Sequence, residues 1–317
     1  MTDPNTVATA QPVAASGAGD SVGPAATTTA TRSLTADAWY ELRRRPVFIV
    51  AASLIAVLLV LAAFPQLFTS VDPTVGDLSR ARQDPSAEAW FGYDNLGRDV
   101  FARTIYGTRV SIIVGVLATT LTVVLGAIIG LIAGFSGGWV DTVLSRVADV
   151  FFGVPFVLGG IIVLSTFRNS VGGGVIGIST LVIVTIALLS WPVSMRIMRS
   201  AAIAARSQDY VKAARGLGAS PWRIIVKHML PNTIAPVLVY ATIALGAFIG
   251  VEATLSYLGI GLRDPVVSWG VMISEAQSFI RTSPHLLLFP GAFLVVTVLA
   301  FVLLGDAVRD AFDPKGR

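Results

Sequence analysis

The chain has 317 residues, 54% of them hydrophobic and only 13% charged, with a mean hydropathy of +0.75; soluble domains average about 25% charged residues, so this is the composition of an integral membrane protein. The net charge is +4 and there is no cysteine, which excludes disulfides, thiolate chemistry and Cys-ligated metal. Two histidines far apart, His228 and His285, argue against a His-based metal site, and basic residues that flank apolar runs rather than forming a soluble patch argue against nucleic acid.

Residues 1–32 are mostly Ala, Thr, Pro, Gly and Ser. They offer too little apolar surface to offset the entropy of ordering, and the segment is expected to be a disordered tail. It lacks the basic lead and apolar core of a signal peptide. Ser33 or Thr35 is placed to cap a short helix whose Leu34, Ala38, Trp39 and Leu42 share a face, followed by Arg43-Arg44-Arg45. That pattern suits a helix lying on a membrane surface, with a helix packed on protein as the alternative. Val47 to Phe64 is the first apolar run, close to the ~20 residues that cross a bilayer. The arginine triplet places its start in the cytoplasm, and residues 33–68 form one unit.

Residues 69–108 are then expected outside the membrane. Within and just beyond them lies WFGYDNLGRDVFARTIYGTRVS, from Trp90 to Ser111. Asp94 reads as the N-cap of a helix turning Leu96, Val100, Phe101 and Ile105 inward, with Asp99 and Arg103 paired one turn apart. A core of five further spans is expected over 109–308. The second span is Ser111 to about Phe135. The third is Asp141 to about Phe167, kinked at Pro155. In its first turns Arg146 and Asp149 are i,i+3 neighbours, read as a structural pair with a substrate contact by Asp149 as the alternative. The fourth span is Val175 to about Met195, with Trp191-Pro192 in an interfacial aromatic belt. The fifth, Thr233 to about Leu258, carries Glu252, which reads as an intramembrane functional acid or as a carboxylate at an aqueous mouth. Residues 259–284 lie outside, with a short helix over Met272 to Ile280. Leu286 to Leu304 is the sixth span, and 309–317 form a cytoplasmic tail.

Between the fourth and fifth spans, residues 196–231 are the only long polar, basic segment. They carry Arg196, Arg199, Arg206, Lys212, Arg215, Arg223 and Lys227 against one acid, Asp209. Ser207 is placed to cap a first short helix, with Asp209 at its positive end. Ala213 and Ala214 are small enough for a partner surface to approach closely. Gly218 suits the left-handed position after a helix end. Ser220 and Pro221 restart the chain as N-cap and N1, and Trp222, Ile225, Val226 and Met229 fall on one helical stripe. Leu230-Pro231 closes the segment.

This segment resembles the EAA coupling loop of permease subunits in binding-protein-dependent ABC importers. That pattern is E-A-A, three residues, G, nine residues, I-x-L-P. Here it stands as Lys212-Ala213-Ala214, three residues, Gly218, nine residues, and His228-Met229-Leu230-Pro231. Lys212 replaces the Glu and His228 the Ile. Phe91-Gly92-Tyr93-Asp94 with Gly97-Arg98-Asp99 resembles the FGTDxxGRD stretch of the C-type permeases of dipeptide and oligopeptide importers, with Tyr93 in place of Thr and Ala102 in place of a later Ser. The resemblance runs from about residue 33 to the end of the chain. It implies an all-α polytopic fold of the type I importer permease kind, with six spans and both termini cytoplasmic. It implies a loop, 207–231, that docks in a groove of a separate ATPase through Lys212, Ala213, Ala214, Gly218, Ser220, Pro221, Trp222, Leu230 and Pro231. It further implies a second, unlike permease subunit, two ATPase domains, an extracytoplasmic binding protein and a short-peptide cargo, with a nickel chelate as the alternative cargo. Asp94, Arg98, Asp99, Asp149 and Glu252 are candidate pathway or gate residues, weighed against a plain structural role.

The chain agrees by omission. A phosphate-binding P-loop needs a lysine followed by Ser or Thr. Lys212, Lys227 and Lys315 are followed by Ala, His and Gly, so ATP and Mg are expected on partner subunits, with no cofactor on this chain. A secondary transporter would show midplane acids in two related halves. A membrane enzyme would show a clustered acid–base or metal set.

Overall fold

The computed structural model describes residues 42–172 and 174–312. The expected tail over 1–32, and the surface helix apart from Leu42, lie outside that range. Leu42 itself is buried against Ala307 and Ala311. The described residues are helical throughout the membrane-spanning part, and their only β features are two isolated antiparallel bridges, Gly76 with Arg98 and Tyr93 with Asp99.

Among the described residues five helices are long and apolar enough to cross a membrane, and a bent pair makes up to six spans. The first, α1, is Pro46–Ala63, with Pro46 at N1, where its missing N–H costs nothing. One face (Ala51, Ile55, Leu58, Leu61) is buried, and the opposite face (Val47, Val50, Leu54, Val57) is exposed, as expected of a helix with protein on one side and lipid on the other.

Helix α2, Val100–Ser136, has 37 residues. At about 1.5 Å per residue it is some 55 Å long, well beyond the ~30 Å hydrocarbon core. Its principal partner is α5, Val175–Arg206. Gly126, Gly130 and Gly134 recur every four residues and so line one face. A Cβ at 126 would sit 2.7 Å from Met195 N, at 130 it would sit 2.3 Å from Met195 O, and at 134 2.8 Å from Arg199 O. The two backbones touch along this seam, the close approach that small residues permit between membrane helices.

The third span differs from the expected single kinked helix. It is α3, Gly138–Gly153, and α4, Phe156–Phe167, bent by 90°. Pro155 cannot donate the next helical hydrogen bond, and Val154 before it is driven into extended backbone (φ −86°, ψ 117°). Trp191 is not in an interfacial belt. It is buried with its ring edge-on to Phe151 at 5.5 Å, in a cluster with Ala133, Ala148 and Met195.

After α5 come three short helices: α6 (Asp209–Gly216), α7 (Pro221–Arg223) and α8 (Leu230–Thr233). Helix α9, Ala235–Tyr257, pairs with α11, His285–Phe312, and α10, Trp269–Ala276, packs across both. The expected short helix at Met272 to Ile280 thus starts three residues earlier and tightens into a 3₁₀ turn at Gln277–Phe279. Helix α11 extends beyond the expected span as far as Phe312. The α6–α8 loop lies at one end of the bundle, called here the near end, and residues 69–99 with α10 lie at the far end.

Candidate functional site

The near-end loop is continuous with the bundle core. Val211 and Ala214 of α6, with Ile224 and Met229 beyond the break, are buried in one cluster with Val123, Ala127 and Leu131 of α2 and Met198, Ala202 and Ala205 of α5. Ala214 therefore faces the chain's own core and not a partner, while Ala213 and Lys212 are exposed, Lys212 within 3.2 Å of Asp209. The cap of α6 is Gln208, whose side chain makes no capping bond; Ser207 donates instead to Ala204 O at 3.0 Å. The expected Ser207 cap is displaced because α5 runs on through Arg206 and leaves Ser207 in helical geometry, at φ −84°, ψ −7°.

Helix α6 ends as the sequence predicts. Gly218 has φ +78°, its N–H donates to Arg215 O and Ala219 N–H donates to Ala214 O, both at 3.0 Å. These are the paired bonds of a Schellman end, which needs a left-handed residue at this position. Ser220 Oγ then accepts from Arg223 N and Pro221 occupies N1.

Beyond Arg223 the helix widens into a π-helical turn, Ile224–Met229, closed by Leu230 N–H to Ile225 O. With hydrogen bonds spanning five residues, Ile224 and Met229 share the buried face. Val226 and Trp222 are exposed, so the expected stripe is replaced. The result is a rigid knuckle whose inner face is core and whose outer face shows Leu217 at 89% exposure and Trp222 at 71%. Leu230 is half-buried and Pro231 exposed.

The far end holds a buried ion cluster. Asp94 does not cap a helix. Its Oδ1 accepts from Leu96 N and Arg98 N, and its Oδ2 from Arg98 Nε at 2.6 Å. Leu96 is exposed, and α2 begins at Val100, capped by Asp99, which accepts from Ala102 N at 2.7 Å. Asp99 is thus spent on the cap. Its expected partner Arg103, 1% exposed, meets Glu275 at 2.9 Å and lies 3.6 Å from Asp94. Arg98 also reaches Asp264 at 3.1 Å and Glu275 at 2.8 Å. Burial pushes the Glu275 carboxyl above the ordinary glutamate range, with Arg103 and Arg98 pulling it back. Burial likewise raises Asp99, against the amides of Ala102 and Phe101.

Glu252 is fully buried and is not at an aqueous mouth. Its Oε1 accepts from Ser256 Oγ at 2.8 Å and Ser268 Oγ at 3.1 Å. Ser268 caps α10, and the next residue, Trp269, donates its amide to Ser111 of α2. Glu252 thereby ties α9 to α10, which is itself tied to α2. Asp149 lies elsewhere, on α3, 3.3 Å from Arg146 and 2.8 Å from Arg196. Asp94 and Arg98 meet in one cluster, whereas Asp149 and Glu252 stand apart from it. Glu275, Asp264, Ser256 and Ser268 had no local signal in the sequence, since their partners come from distant helices.

Residues 126–317, which include the whole near-end loop, match the family model described as binding-protein-dependent transport system inner membrane component. The chain belongs to this family of ABC permeases. Residues 33–88 match the N-terminal transmembrane domain of oligopeptide transport permease C, which makes it a permease of the dipeptide/oligopeptide type. It is 37% identical over 279 residues to a dipeptide transport system permease of Alkalihalophilus pseudofirmus, covering 88% of this chain and 89% of that one. It is also 37% identical to a glutathione transport system permease of Shigella flexneri (87% and 89% covered) and 33% identical to one of Pectobacterium atrosepticum (87% and 90%). Among solved structures it resembles the methionine ABC transporter in inward-facing conformations, with a TM-score of 0.55 over 67% of this chain and 97% of that chain. At 19% identity that likeness speaks for the fold, which is the type I importer permease fold expected from the sequence. The permease is a multi-pass membrane protein and one subunit of a larger transporter.

Proposed function

We propose that this permease moves short peptides inward across the cytoplasmic membrane, driven by ATP hydrolysed on separate subunits that grip the near-end loop. The observation that carries this reading is the two-faced loop. Its inner side is locked into the α2–α5 core by Val211, Ala214, Ile224 and Met229, and its outer side offers Leu217 and Trp222 to a partner. A push on the outer side is transmitted to the spans as a rigid displacement, because a packed core is stiff. Gly218, Ser220 and Pro221 set the angle between the two halves. Lys212 and Ala213 flank the contact, Ala214 anchors it from inside, and Leu230-Pro231 leads into α9. ATP and Mg belong to two ATPase domains. A second permease subunit completes the pathway, and an extracytoplasmic binding protein delivers cargo to the far end, beside the cluster of Asp94, Arg98 and Asp99. The near end is cytoplasmic by its excess of arginine and lysine. Peptide cargo is supported by relatives named for dipeptide and glutathione transport.

The test is deletion of the gene, followed by uptake of labelled dialanine and co-purification from the tagged strain. Loss of dialanine uptake together with a co-purifying ATPase is expected. Normal dialanine uptake with loss of a different solute, such as a metal chelate, would overturn the cargo reading. Recovery of a functional carrier with no ATPase would overturn the coupling.

A further inference from the structure

Helices α3 and α5 enclose a polar cleft that neither the near-end loop nor the far-end cluster uses. It measures about 480 Å³, within the range of about 300–1,000 Å³ common for small-molecule sites. Asp141, Ser145 and Asp149 recur every four residues and so line one face of α3. Arg196 and Arg199 face them from α5 over the buried Met195. Arg199 forks onto Asp141, with Nη2 to Oδ2 at 2.6 Å and Nε on Oδ1. At the other end Arg196 Nη2 meets Asp149 Oδ1 at 2.8 Å while lying over the Phe152 ring, and Arg146 Nη1 meets Asp149 Oδ2 at 3.3 Å.

Two features separate this cleft from an ordinary structural ion pair. The first is the alternation of sign. Asp141 and Asp149 are eight residues apart, about 12 Å along the helix, and each end of the cleft presents both a carboxylate and a guanidinium. The second is the surplus charge. Three guanidiniums face two carboxylates, and the third, Arg146, is 80% exposed with one long contact. Solvent-open ion pairs add at most about 1 kcal/mol each to stability, so packing gives little reason for five charges on two membrane helices.

We propose that the cleft binds the free termini of a short peptide in passage, its ammonium on the Asp149 or Asp141 carboxylate and its carboxylate on the guanidiniums. This deepens the peptide-importer reading and rests on it. An extended chain advances about 3.3–3.6 Å per residue, so about 12 Å between the two ends takes up roughly three residues. Both signs at both ends allow either direction of entry. The cleft reads termini and leaves side chains unread, as a carrier of varied peptides requires. An ethanolamine lipid headgroup shares the ammonium-plus-oxyanion chemistry and is the competing occupant.

The test uses the full chain in nanodiscs with labelled tri-L-alanine as probe. Saturable binding is expected in both phosphatidylcholine and phosphatidylethanolamine discs, displaced by unlabelled tripeptides of other composition and not by N-acetyl-trialanine amide. The Arg146→Gln/Asp149→Asn double variant should bind at least about tenfold more weakly, since whichever terminus lies at the Asp149 end loses a charged partner there. Arg146→Lys should retain binding, a rescue that a purely structural defect would not show. Absence of saturable binding, equal displacement by the capped peptide, or undiminished binding by the double variant would each overturn the proposal. Binding in phosphatidylcholine that disappears in phosphatidylethanolamine would assign the cleft to the headgroup and overturn the peptide. Uptake in cells separates the two levels. If wild-type cells import neither dialanine nor trialanine, the cargo reading falls. If wild type and the double variant import trialanine equally, only the cleft falls.

Discussion

Gly216 and Gly218 provide a matched pair for testing the coupling loop. Apart from its chain neighbours and its own helix backbone, neither has any atom within 4 Å of where a Cβ would stand, yet Gly218 has φ +78° and Gly216, inside α6, has no such conformation. The same substitution therefore meets open space at both positions and differs only in backbone strain. A side chain at Gly218 costs about 1–2 kcal/mol for entering the left-handed region, and up to about 3 for a β-branched residue. At Gly216 valine is neutral or slightly favourable, because glycine is itself among the poorest helix formers. Every ~1.4 kcal/mol is a factor of ten in an equilibrium, so Gly218→Val should leave the Schellman end correctly formed in a roughly ten- to hundredfold smaller excess. The strain is relieved by changing the angle at which Ser220-Pro221 aims Trp222. Insertion, set by the spans, should be near normal, while peptide uptake and transport-stimulated ATP hydrolysis fall sharply. Gly218→Asn should be milder. The assay is uptake and ATPase rate in vesicles at equal membrane abundance, with Gly216→Val alongside. Equal behaviour of the two valine variants, or asparagine as damaging as valine at 218, would refute the reasoning.

Other consequences are open to measurement. Gly130→Val should force α2 and α5 apart by about 1 Å, since its Cβ would meet Met195 O at 2.3 Å. The overpacking cost of about 1–3 kcal/mol should lower membrane abundance, whereas Gly153→Ala, with open space around it, should not. For Glu275, whose folded-state carboxyl is raised by burial, the folded state binds more protons between the ordinary glutamate range and the raised value, so stability falls as pH rises through that window. The thermal stability of wild type relative to Glu275→Gln should accordingly be greater at pH 5 than at pH 8, and a flat difference would show that the burial effect is cancelled by Arg98 and Arg103. Single cysteines at Ser79 and Ser278, in this cysteine-free chain, should react with an impermeant thiol reagent from outside, and one at Ser207 should not; outside labelling at Ser207 would reverse the assigned orientation. The purified single subunit should hydrolyse no ATP.

Local chemistry was legible from the sequence wherever cause and effect lie within a few residues. Apolar run lengths gave the spans to within a turn for α1 and α9, because a bilayer demands a minimum length whatever packs against it. Gly218, Ser220 and Pro221 were assigned correctly because helix ends are governed by backbone geometry at the residue itself. The register of Ala213-Ala214 and Gly218 pointed to the family before any fold was known.

Whatever depends on a second helix was decided only by the tertiary structure. Gly126, Gly130 and Gly134 recur every four residues, but only α5 shows that a second backbone comes into contact there. Asp99 and Arg103 sit at ion-pair spacing, yet a helix start claims one and Glu275, 172 residues away, claims the other. Ala214 turned inward because α2 and α5 supply the core it packs into, and Ile224 replaced the expected stripe because the π-helical turn rotated the face by the width of one residue. The polar wall of α3 became a cleft only when α5 placed Arg196 and Arg199 opposite it. Sequence spacing states which side chains share a surface. Which surfaces then meet is settled by the burial and charge pairing of the whole bundle, and no single segment carries that information.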